Sequence, residues 1–287
     1  MEEFLWTYHP KLPVQSYFDA FIRQVMYMGK VISVVNQKGG TGKSGISVNL
    51  AVGLVRSGKK VLLIDCDPQA DASASLGYRE SDDSEETLSE LFGKIMHDEA
   101  LPEDMFIQHQ EEGVDMLISN IELAGTEVML VNIMSRELIL KELLDTVKEK
   151  YDYCIIDTMP SLGMLTINSL AAADEVLIPV EASYLPIKGL QKLLQTVRRI
   201  RKQINPRLDI CGIVFSMVDV RTCEARENME LLRTAYGNDV RVFDTYIPAS
   251  VRMKECCKEG KSIYQYAPGS RVAGAFEYLT GEVLSNG

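Results

Sequence analysis

The chain has 287 residues, an apolar content of 46% and a formal net charge of −11. This length is enough for one large or two small globular domains. No run of about 18 uncharged apolar residues occurs, so no membrane-spanning helix is predicted, and the N-terminus lacks the pattern of a secretion signal. The six cysteines contain no C-x-x-C spacing and fit a reducing cytoplasm, although the adjacent pair Cys256-Cys257 leaves a redox role open.

Charge is distributed unevenly along the chain. Residues 80–115 hold thirteen acidic side chains and one basic side chain, whereas residues 186–271 hold sixteen basic and nine acidic ones. A net-basic region in an acidic protein favours a localised anion-binding surface over scattered solvated charge. Nucleic acid therefore stays among the candidate ligands despite the overall negative charge.

Residues 1–28 are expected to form an N-terminal extension, which is either disordered or a short amphipathic helix. Residues 29–287 are expected to form the globular domain, with Met28 as its effective beginning. The extension is then either a flexible arm or the product of an upstream start codon.

The first strand and the glycine-rich turn after it make up the most informative stretch. An apolar, β-branched run over 31–35 leads into Lys38-Gly39-Gly40-Thr41-Gly42-Lys43-Ser44, and a helical pattern follows over 44–55. Glycines let backbone N–H groups approach an anion closely, and a helix N-terminus adds positive potential. This layout predicts a phosphate-binding loop in which Lys43 contacts the β/γ-phosphates and the Ser44 hydroxyl binds Mg²⁺.

Strands and helices are predicted to alternate along the rest of the chain. Further strands are predicted over 60–65, 114–119, 153–157, 175–180, 210–217 and 240–245, and helices over 87–95, 136–150, 162–170, 186–204, 223–236 and 272–283. The segment 248–259 has no assigned type. Such alternation is typical of a doubly wound, mostly parallel α/β sheet flanked by helices. Right-handed crossovers would place residues 36–44, 65–67 and 157 along one rim of that sheet.

Three carboxylates at strand ends complete the predicted site. Asp65 and Asp67 follow the second strand, and Asp157 ends the strand over 153–157. Beside a phosphate loop, these groups are suited to hold Mg²⁺ and to orient an attacking water. The combination predicts a nucleotide hydrolase, although a single such Asp is as often a turn or helix cap.

These motifs together resemble the ParA/MinD superfamily of P-loop NTPases with a deviant Walker A motif. Gln37 stands where the ordinary Walker A pattern has glycine, and Lys38 matches the second, signature lysine of the superfamily. Asp65-Cys66-Asp67-Pro68-Gln69 resembles its second box, and residues 151–157 with Pro160-Ser161-Leu162-Gly163 resemble its Walker B and switch region. Ile247-Pro248-Ala249-Ser250-Val251-Arg252 and Tyr266-Ala267-Pro268-Gly269-Ser270-Arg271 resemble the Soj-like branch in particular.

The resemblance implies an Mg²⁺-dependent ATPase that binds ATP and ADP and forms a homodimer on ATP. Lys38, Lys43 and Asp67 would be catalytic, with Lys38 reaching the partner's ATP and Asp67 positioning the water. Ser44, Asp65 and Asp157 would hold the metal. The nucleotide contacts would come from Lys38, Gly39, Gly40, Thr41, Gly42, Lys43, Ser44 and Gly45, with adenine near Met217 and Pro248. Asp71 and Met159 stand where the superfamily often has Asn and Pro, so the resemblance does not define the rate of hydrolysis.

The Soj-like branch further implies DNA partitioning at the nucleoid in the cytoplasm, with a ParB-like centromere-binding partner and no membrane. The ATP dimer would bind DNA without sequence preference through Arg221, Arg252 and Lys254, as the basic C-terminal part allows. A second basic cluster is Arg198-Arg199-Ile200-Arg201-Lys202. It lies at a predicted helix C-terminus, where positive charges interact favourably with the helix dipole, so this structural role is as good an explanation as DNA binding. A MinD-like ATPase cycling on membranes is the alternative function. A metal-cluster reductase or a non-hydrolysing scaffold also stays open.

Overall fold

Apolar runs rich in Val, Ile and Leu form the strands of one central sheet, as expected for strands covered on both faces. The computed structural model describes residues 29–182 and 187–285, without the side chains of 187 and 188. The predictions for residues 1–28 lie outside this range. The strands are β1 (Lys30–Val34), β2 (Val61–Cys66), β3 (Gln108–His109), β4 (Asp115–Leu117), β5 (Tyr153–Thr158), β6 (Glu175–Glu181), β7 (Asp209–Val218) and β8 (Val242–Pro248).

The eight described strands lie in the order β3-β4-β2-β5-β1-β6-β7-β8. Every neighbouring pair is parallel except β3 with β4, which is antiparallel. The predicted doubly wound, mostly parallel α/β sheet is therefore confirmed.

Helices cover both faces of this sheet. They are α1 (Lys43–Arg56), α2 (Asp71–Ser75), α3 (Leu88–Met96), α4 (Leu123–Leu130), α5 (Ile139–Val147), α6 (Met164–Ala172), α7 (Ile187–Gln203), α8 (Cys223–Tyr236), α9 (Arg252–Glu259), α10 (Ile263–Tyr266) and α11 (Arg271–Leu284). The core on one face includes Leu50 of α1 and Phe276 of α11, and the core on the other includes Leu143 of α5 and Leu165 of α6. Where α1 packs against α10 and α11, a Cβ atom at Gly53 would collide with the hydroxyls of Tyr264 and Thr280, so glycine permits this close approach.

The sheet order sets the position of the site. β1 lies between β5 and β6, and the chain winds outward from it in both directions. In such sheets a crevice opens beyond the carboxyl end of the central strand. The loop between β1 and α1 occupies that crevice, and the ends of β2 and β5 lie beside it.

Several elements differ from the sequence-based expectation. The predicted helix over 136–150 is α5 followed by a 3₁₀ turn at Lys148–Lys150, and the predicted strand over 240–245 is shifted to Val242–Pro248. The segment 248–259 contains α9. The short elements α2 and β3 were not predicted because they span only five and two residues. α4 was not predicted because its residues are mostly apolar or small and carry no helical periodicity.

Candidate nucleotide-binding site

The loop between β1 and α1 has the backbone geometry of an anion cradle. Gly40 (φ 73°) and Gly42 (φ 78°) adopt left-handed conformations that glycine reaches without steric cost. Gly42 directly precedes α1, and no side chain caps the first amides of that helix. Unpaired N–H groups and the helix dipole both favour an anion at this point.

Lys43, the first residue of α1, reaches into the base of this crevice. Its side chain is almost fully buried, and burial lowers its pKa. The charges of Asp157, Asp67 and Asp71 act in the opposite direction and favour the ammonium form. The structure thus brings together the predicted lysine and two of the predicted carboxylates.

Asp65 and Asp157 lie side by side on the paired strands β2 and β5 and are both fully buried. Burial, together with the charge of Asp157, raises the pKa of Asp65 to about 8, and burial raises the pKa of Asp157 to about 6. Two adjacent buried carboxyls favour a nearby cation, since each raises the energy of the other's ionised form.

Their contacts differ, however. Asp65 accepts hydrogen bonds from the Asp67 amide (3.2 Å), the Ser73 amide (2.8 Å) and the Ser73 hydroxyl (2.7 Å), and so fastens the chain leading into α2. Asp157 accepts a hydrogen bond from Ser47 (2.8 Å) on Oδ1, while its buried Oδ2 has no hydrogen-bond partner. A buried carboxylate oxygen without a partner is costly unless a ligand pairs with it.

The Oδ2 of Asp157, which has no hydrogen-bond partner, fits Mg²⁺. Ser44 is close enough to the Asp157 carboxyl to act against the rise in its pKa. Mg²⁺ prefers oxygen ligands and is usually held by one or two carboxylates, water and nucleotide phosphates. Among the described residues, no group of three or more His, Cys, Asp or Glu side chains is placed to hold a metal ion. Ser44 and Asp157 would hold the ion, which would neutralise phosphate charge. The role predicted for Asp65 in the metal shell stays a prediction.

Asp67 lies in the turn that follows β2, where its side chain is almost fully buried. Its Oδ1 accepts a hydrogen bond from the Gln69 amide (3.0 Å), and burial raises its pKa. A raised pKa brings a carboxylate closer to the range of an effective general base. The geometry is compatible with the predicted role of Asp67 in orienting water.

A cavity of about 570 Å³ extends from the phosphate loop toward the ends of β7 and β8. Residues 40–46, Asp67, Met217 and Pro248 are among its walls, so most of the predicted nucleotide contacts share one cavity. Met217 has φ 51°, an uncommon conformation for a residue with a side chain, and such strain is often found at functional sites. The preceding Ser216 donates a hydrogen bond to the Thr41 carbonyl (2.8 Å) and fixes this wall to the phosphate loop.

Lys38 and Gly39 lie at the outer rim of the crevice. The Lys38 ammonium forms an ion pair of 2.6 Å with Glu181, at the end of β6, and both side chains are partly exposed. A Cβ on Gly39 would lie 3.9 Å from Pro160 in the loop after β5. Lys38 is thus close to the site but directed to a carboxylate at its rim.

Two of the three predicted DNA-binding side chains border a second cavity of about 580 Å³. Arg221 and Arg252 line it together with Arg271, at the start of α11, which sequence reasoning did not select. Lys254 is exposed on α9 and lines the first cavity instead. Pro248 and Ser250 border both cavities, so the basic surface adjoins the nucleotide cavity.

Five side chains that contact the predicted site residues or line the nucleotide cavity were not predicted from the sequence. They are Ser47, Ser73, Ser216, Glu181 and Cys257. Only Ser47 had a usable signal, since it lies one helical turn after Lys43 on the same face of α1. The others reach the site through strand or helix packing between distant parts of the chain.

Cys257 of α9 is a wall of the nucleotide cavity. Hydrogen bonds from Cys256 and then from Ser75 lower the pKa of Cys257, to about 6, although burial opposes the shift. The lowered pKa of Cys257 increases its thiolate fraction at pH 7 above the few per cent found for a thiol of ordinary pKa. We expect iodoacetamide to alkylate Cys257 about tenfold faster than a model cysteine peptide at pH 7.

Mass spectrometry of time points would measure this rate, with Cys257→Ser as the control. Saturating ADP should slow the alkylation because the thiol lies in the cavity wall. An unchanged rate with ADP would place the bound nucleotide away from Cys257.

A glycine-rich loop between the central strand and a helix, with Lys43 and two strand-end carboxylates behind it, defines a P-loop nucleotide-binding protein.

Comparison with known proteins shows to which family of P-loop proteins the chain belongs. The family model described as "AAA domain" matches residues 29–210. Sporulation initiation inhibitor protein Soj of Bacillus subtilis is 42% identical over 260 residues, covering 91% of this chain and 100% of that protein. Chromosome-partitioning ATPase Soj of Treponema pallidum is 38% identical, covering 90% and 98%. The chain belongs to the ParA/MinD family of ATPases.

Solved structures agree with this assignment. Cobyrinic acid a,c-diamide synthase of Mycobacterium smegmatis, with a bound ATP analogue and magnesium, has a TM-score of 0.78 at 29% identity, covering 89% of this chain and 94% of that one. The cell division ATPase MinD of Pyrococcus furiosus has a TM-score of 0.70 at 26% identity, covering 91% and 100%.

Proposed function

We propose that this chain is an Mg²⁺-dependent ATP hydrolase that works as a nucleotide-controlled dimer in DNA partitioning. The phosphate loop, the buried Lys43 and the unpartnered Oδ2 of Asp157 support ATP and Mg²⁺ as ligands. The name of the Treponema pallidum relative, a chromosome-partitioning ATPase, supports the process.

The single observation that carries the dimer switch is the second lysine, Lys38, at the outer rim of the site. A buried lysine, Lys43, already occupies the base of the phosphate loop. Lys38 is partly exposed at the rim, where it pairs with Glu181, and a neighbouring subunit could receive it there. A cation supplied in trans would stabilise the charged transition state as an arginine finger does. ATP would then hold two subunits together, and hydrolysis would release them.

DNA is proposed as the ligand of the basic surface beside the nucleotide cavity. Arg221, Arg252 and Arg271 border one cavity, and the sequence around them is net basic. Arg221 is largely exposed and forms an ion pair with Asp219 (2.7 Å), whose hydrogen bonds from Arg221 lower the pKa of that carboxyl to about 2. Because Pro248 and Ser250 border both cavities, a change on ATP binding could alter the spacing of these arginines. Action at the nucleoid with a ParB-like partner belongs to the same proposal.

A MinD-like function on membranes is less well supported, although MinD of Pyrococcus furiosus has a similar fold. A membrane-cycling helix needs a free apolar face flanked by basic residues. In α11 the apolar side chains Val272, Phe276 and Leu279 are buried in the core, and Glu277 and Glu282 lie among its outer residues. No helix in the described part of the chain is long and apolar enough to span a membrane.

Binding to random-sequence duplex DNA tests the proposal. Affinity is expected to be high with a non-hydrolysable ATP analogue and weak with ADP, and to fall with rising salt as phosphate contacts release counterions. Arg252→Ala should weaken binding roughly tenfold and reduce the salt slope by about one. Arg207→Ala, which removes an exposed arginine outside the cavity, is the matched control. Binding to anionic liposomes in place of DNA would contradict the proposal and favour the MinD-like alternative.

A further inference from the structure

Cys257 lies on the face of α9 that borders the nucleotide cavity. Met253 and Cys257 are one helical turn apart on this helix, and both side chains line the cavity. The Met253 methyl group lies so close to the start of α1 that a Cβ atom at Gly45 would be only 3.1 Å from it. A group attached to the Cys257 sulfur would therefore occupy space beside the phosphate loop.

The other five cysteines are placed differently. Four of them are buried and one is exposed at the start of α8, and they are, in chain order, Cys66, Cys154, Cys211, Cys256 and the exposed Cys223. None of these five side chains is a wall of the nucleotide cavity. Cys257 is only partly buried. Because the reactivity of a cysteine depends on access as well as on ionisation, Cys257 is the cysteine through which a reagent would reach this cavity.

Neighbouring groups favour the reactive form of Cys257. Hydrogen bonds from Cys256 and from Ser75 stabilise its thiolate and lower its pKa to about 6, although burial and the charge of Asp71 oppose the shift. The thiolate is the form that attacks a disulfide, and attack is most effective when the pKa of the thiol is near the ambient pH. The surroundings of Cys257 therefore favour thiol–disulfide exchange near neutral pH.

The cavity beside Cys257 has the size and the groups of a site for one anionic ligand. Lys43 lines it and is only 6% exposed, and the first amides of α1 have no side-chain cap. Its volume of about 570 Å³ is in the range of pockets that enclose a single small molecule. A nucleotide and a bulky group on Cys257 would therefore compete for the same space.

We propose that Cys257 is a site of reversible S-thiolation, at which a low-molecular-weight disulfide such as glutathione disulfide leaves an adduct that excludes the nucleotide. The Cys257 thiolate attacks one sulfur of the disulfide, so that a new S–S bond forms while the original S–S bond breaks. The other half leaves as a thiolate and takes up a proton from water. The Cys257 sulfur is oxidised and the leaving sulfur is reduced by the same amount, so the disulfide is the oxidant. The inference rests on the nucleotide site of the proposed function and requires neither the dimer nor DNA.

Cys256 is not placed to displace this adduct. Neighbouring Cα atoms along a chain are about 3.8 Å apart, whereas a disulfide usually requires about 4.4–6.8 Å between its Cα atoms. A bond between Cys256 and Cys257 would distort α9, and Cys256 is only 1% exposed. The adduct on Cys257 therefore persists until an external thiol attacks it.

Binding of a fluorescent ADP analogue, before and after treatment with glutathione disulfide, tests the proposal. The adduct is expected to weaken the affinity about tenfold or more, because it takes up space that the ligand needs. Dithiothreitol should restore the affinity by reducing the adduct. Peptide mass spectrometry should locate one glutathione moiety on Cys257, and saturating ADP should slow its attachment.

Two substitutions separate Cys257 from the other cysteines. Cys257→Ser should bind the ADP analogue equally well with and without treatment. Cys223→Ser removes the exposed cysteine outside the cavity and is the matched control, so treatment should weaken its affinity as in the wild type. Circular dichroism of the treated wild type should match that of the untreated chain, because the adduct fills a cavity and leaves the core in place.

Three results would overturn the inference and leave the proposed function intact. They are a glutathione moiety on Cys257 with unchanged ADP affinity, a loss of affinity that also occurs in Cys257→Ser, and a loss of affinity that accompanies unfolding. The absence of any adduct on Cys257 after prolonged treatment would likewise overturn it. An untreated wild-type chain that does not bind the ADP analogue would instead contradict the proposed function itself.

Discussion

Replacing Lys38 with alanine is expected to abolish ATP-dependent dimerisation while leaving nucleotide binding nearly unchanged. Lys43 and the backbone of the phosphate loop remain in place, so the monomer keeps its contacts to the phosphates. Hydrolysis should fall by roughly 10³-fold or more, because a cation supplied in trans contributes on this scale in related phosphoryl-transfer sites. Light scattering with ATPγS and single-turnover hydrolysis would measure the two effects.

Lys60→Ala is a suitable control, because Lys60 is an exposed lysine just before the amino end of β2, whereas Lys38 follows the carboxyl end of β1. The Lys38–Glu181 ion pair is partly exposed, and such pairs contribute only about 0–1 kcal/mol, so its loss should not unfold the chain. If Lys38→Ala dimerises and hydrolyses ATP like the wild type, the switch does not depend on a lysine in trans.

Asp67→Ala is expected to have the opposite effect on the dimer. Asp67 lies almost buried beside Lys43, and burial raises its pKa toward the range of a general base. Loss of a group that positions or activates water commonly lowers turnover by about 10²–10⁴-fold. Because ATP would still bind but would not be cleaved, the dimer should persist after ATP addition. Steady-state hydrolysis and the lifetime of the dimer in light scattering would measure this.

Asp239→Ala, an exposed aspartate after α8, provides the control for Asp67→Ala. Normal turnover in Asp67→Ala would exclude this carboxylate from the reaction. A dimer that fails to form would indicate that Asp67 acts in binding and not in hydrolysis. Together, Lys38→Ala and Asp67→Ala distinguish a residue that is needed to form the dimer from a residue that is needed to dissociate it through hydrolysis.

Local sequence signals were sufficient to predict the sheet, and they also selected the residues that the structure brings together around the phosphate loop. Continuous apolar runs predicted the strands because a parallel sheet is buried on both faces, and the glycine turn with Lys43 predicted the phosphate loop. Asp65, Asp67 and Asp157 were predicted to meet because parallel strands end at the same rim, and the register of β2 against β5 confirms that Asp65 and Asp157 are neighbours.

The sequence could not assign each carboxylate its contacts. Asp65 and Asp157 both end apolar strands, yet Ser73 and the Asp67 amide occupy the oxygens of Asp65, while one oxygen of Asp157 is left for a ligand. This difference arises from α2, a helix of five residues that is too short to leave a periodic pattern.

By itself, the sequence determined the class of fold, the phosphate loop and the presence of a second lysine beside it, because these depend on residue types at fixed spacings. Only the tertiary structure decided that Lys38 lies at the rim in contact with Glu181, that Arg271 joins Arg221 and Arg252 at one cavity, and that Cys257 lines the nucleotide cavity. These features depend on packing between segments far apart in the chain, and no local pattern encodes which surfaces such packing buries and which it leaves open.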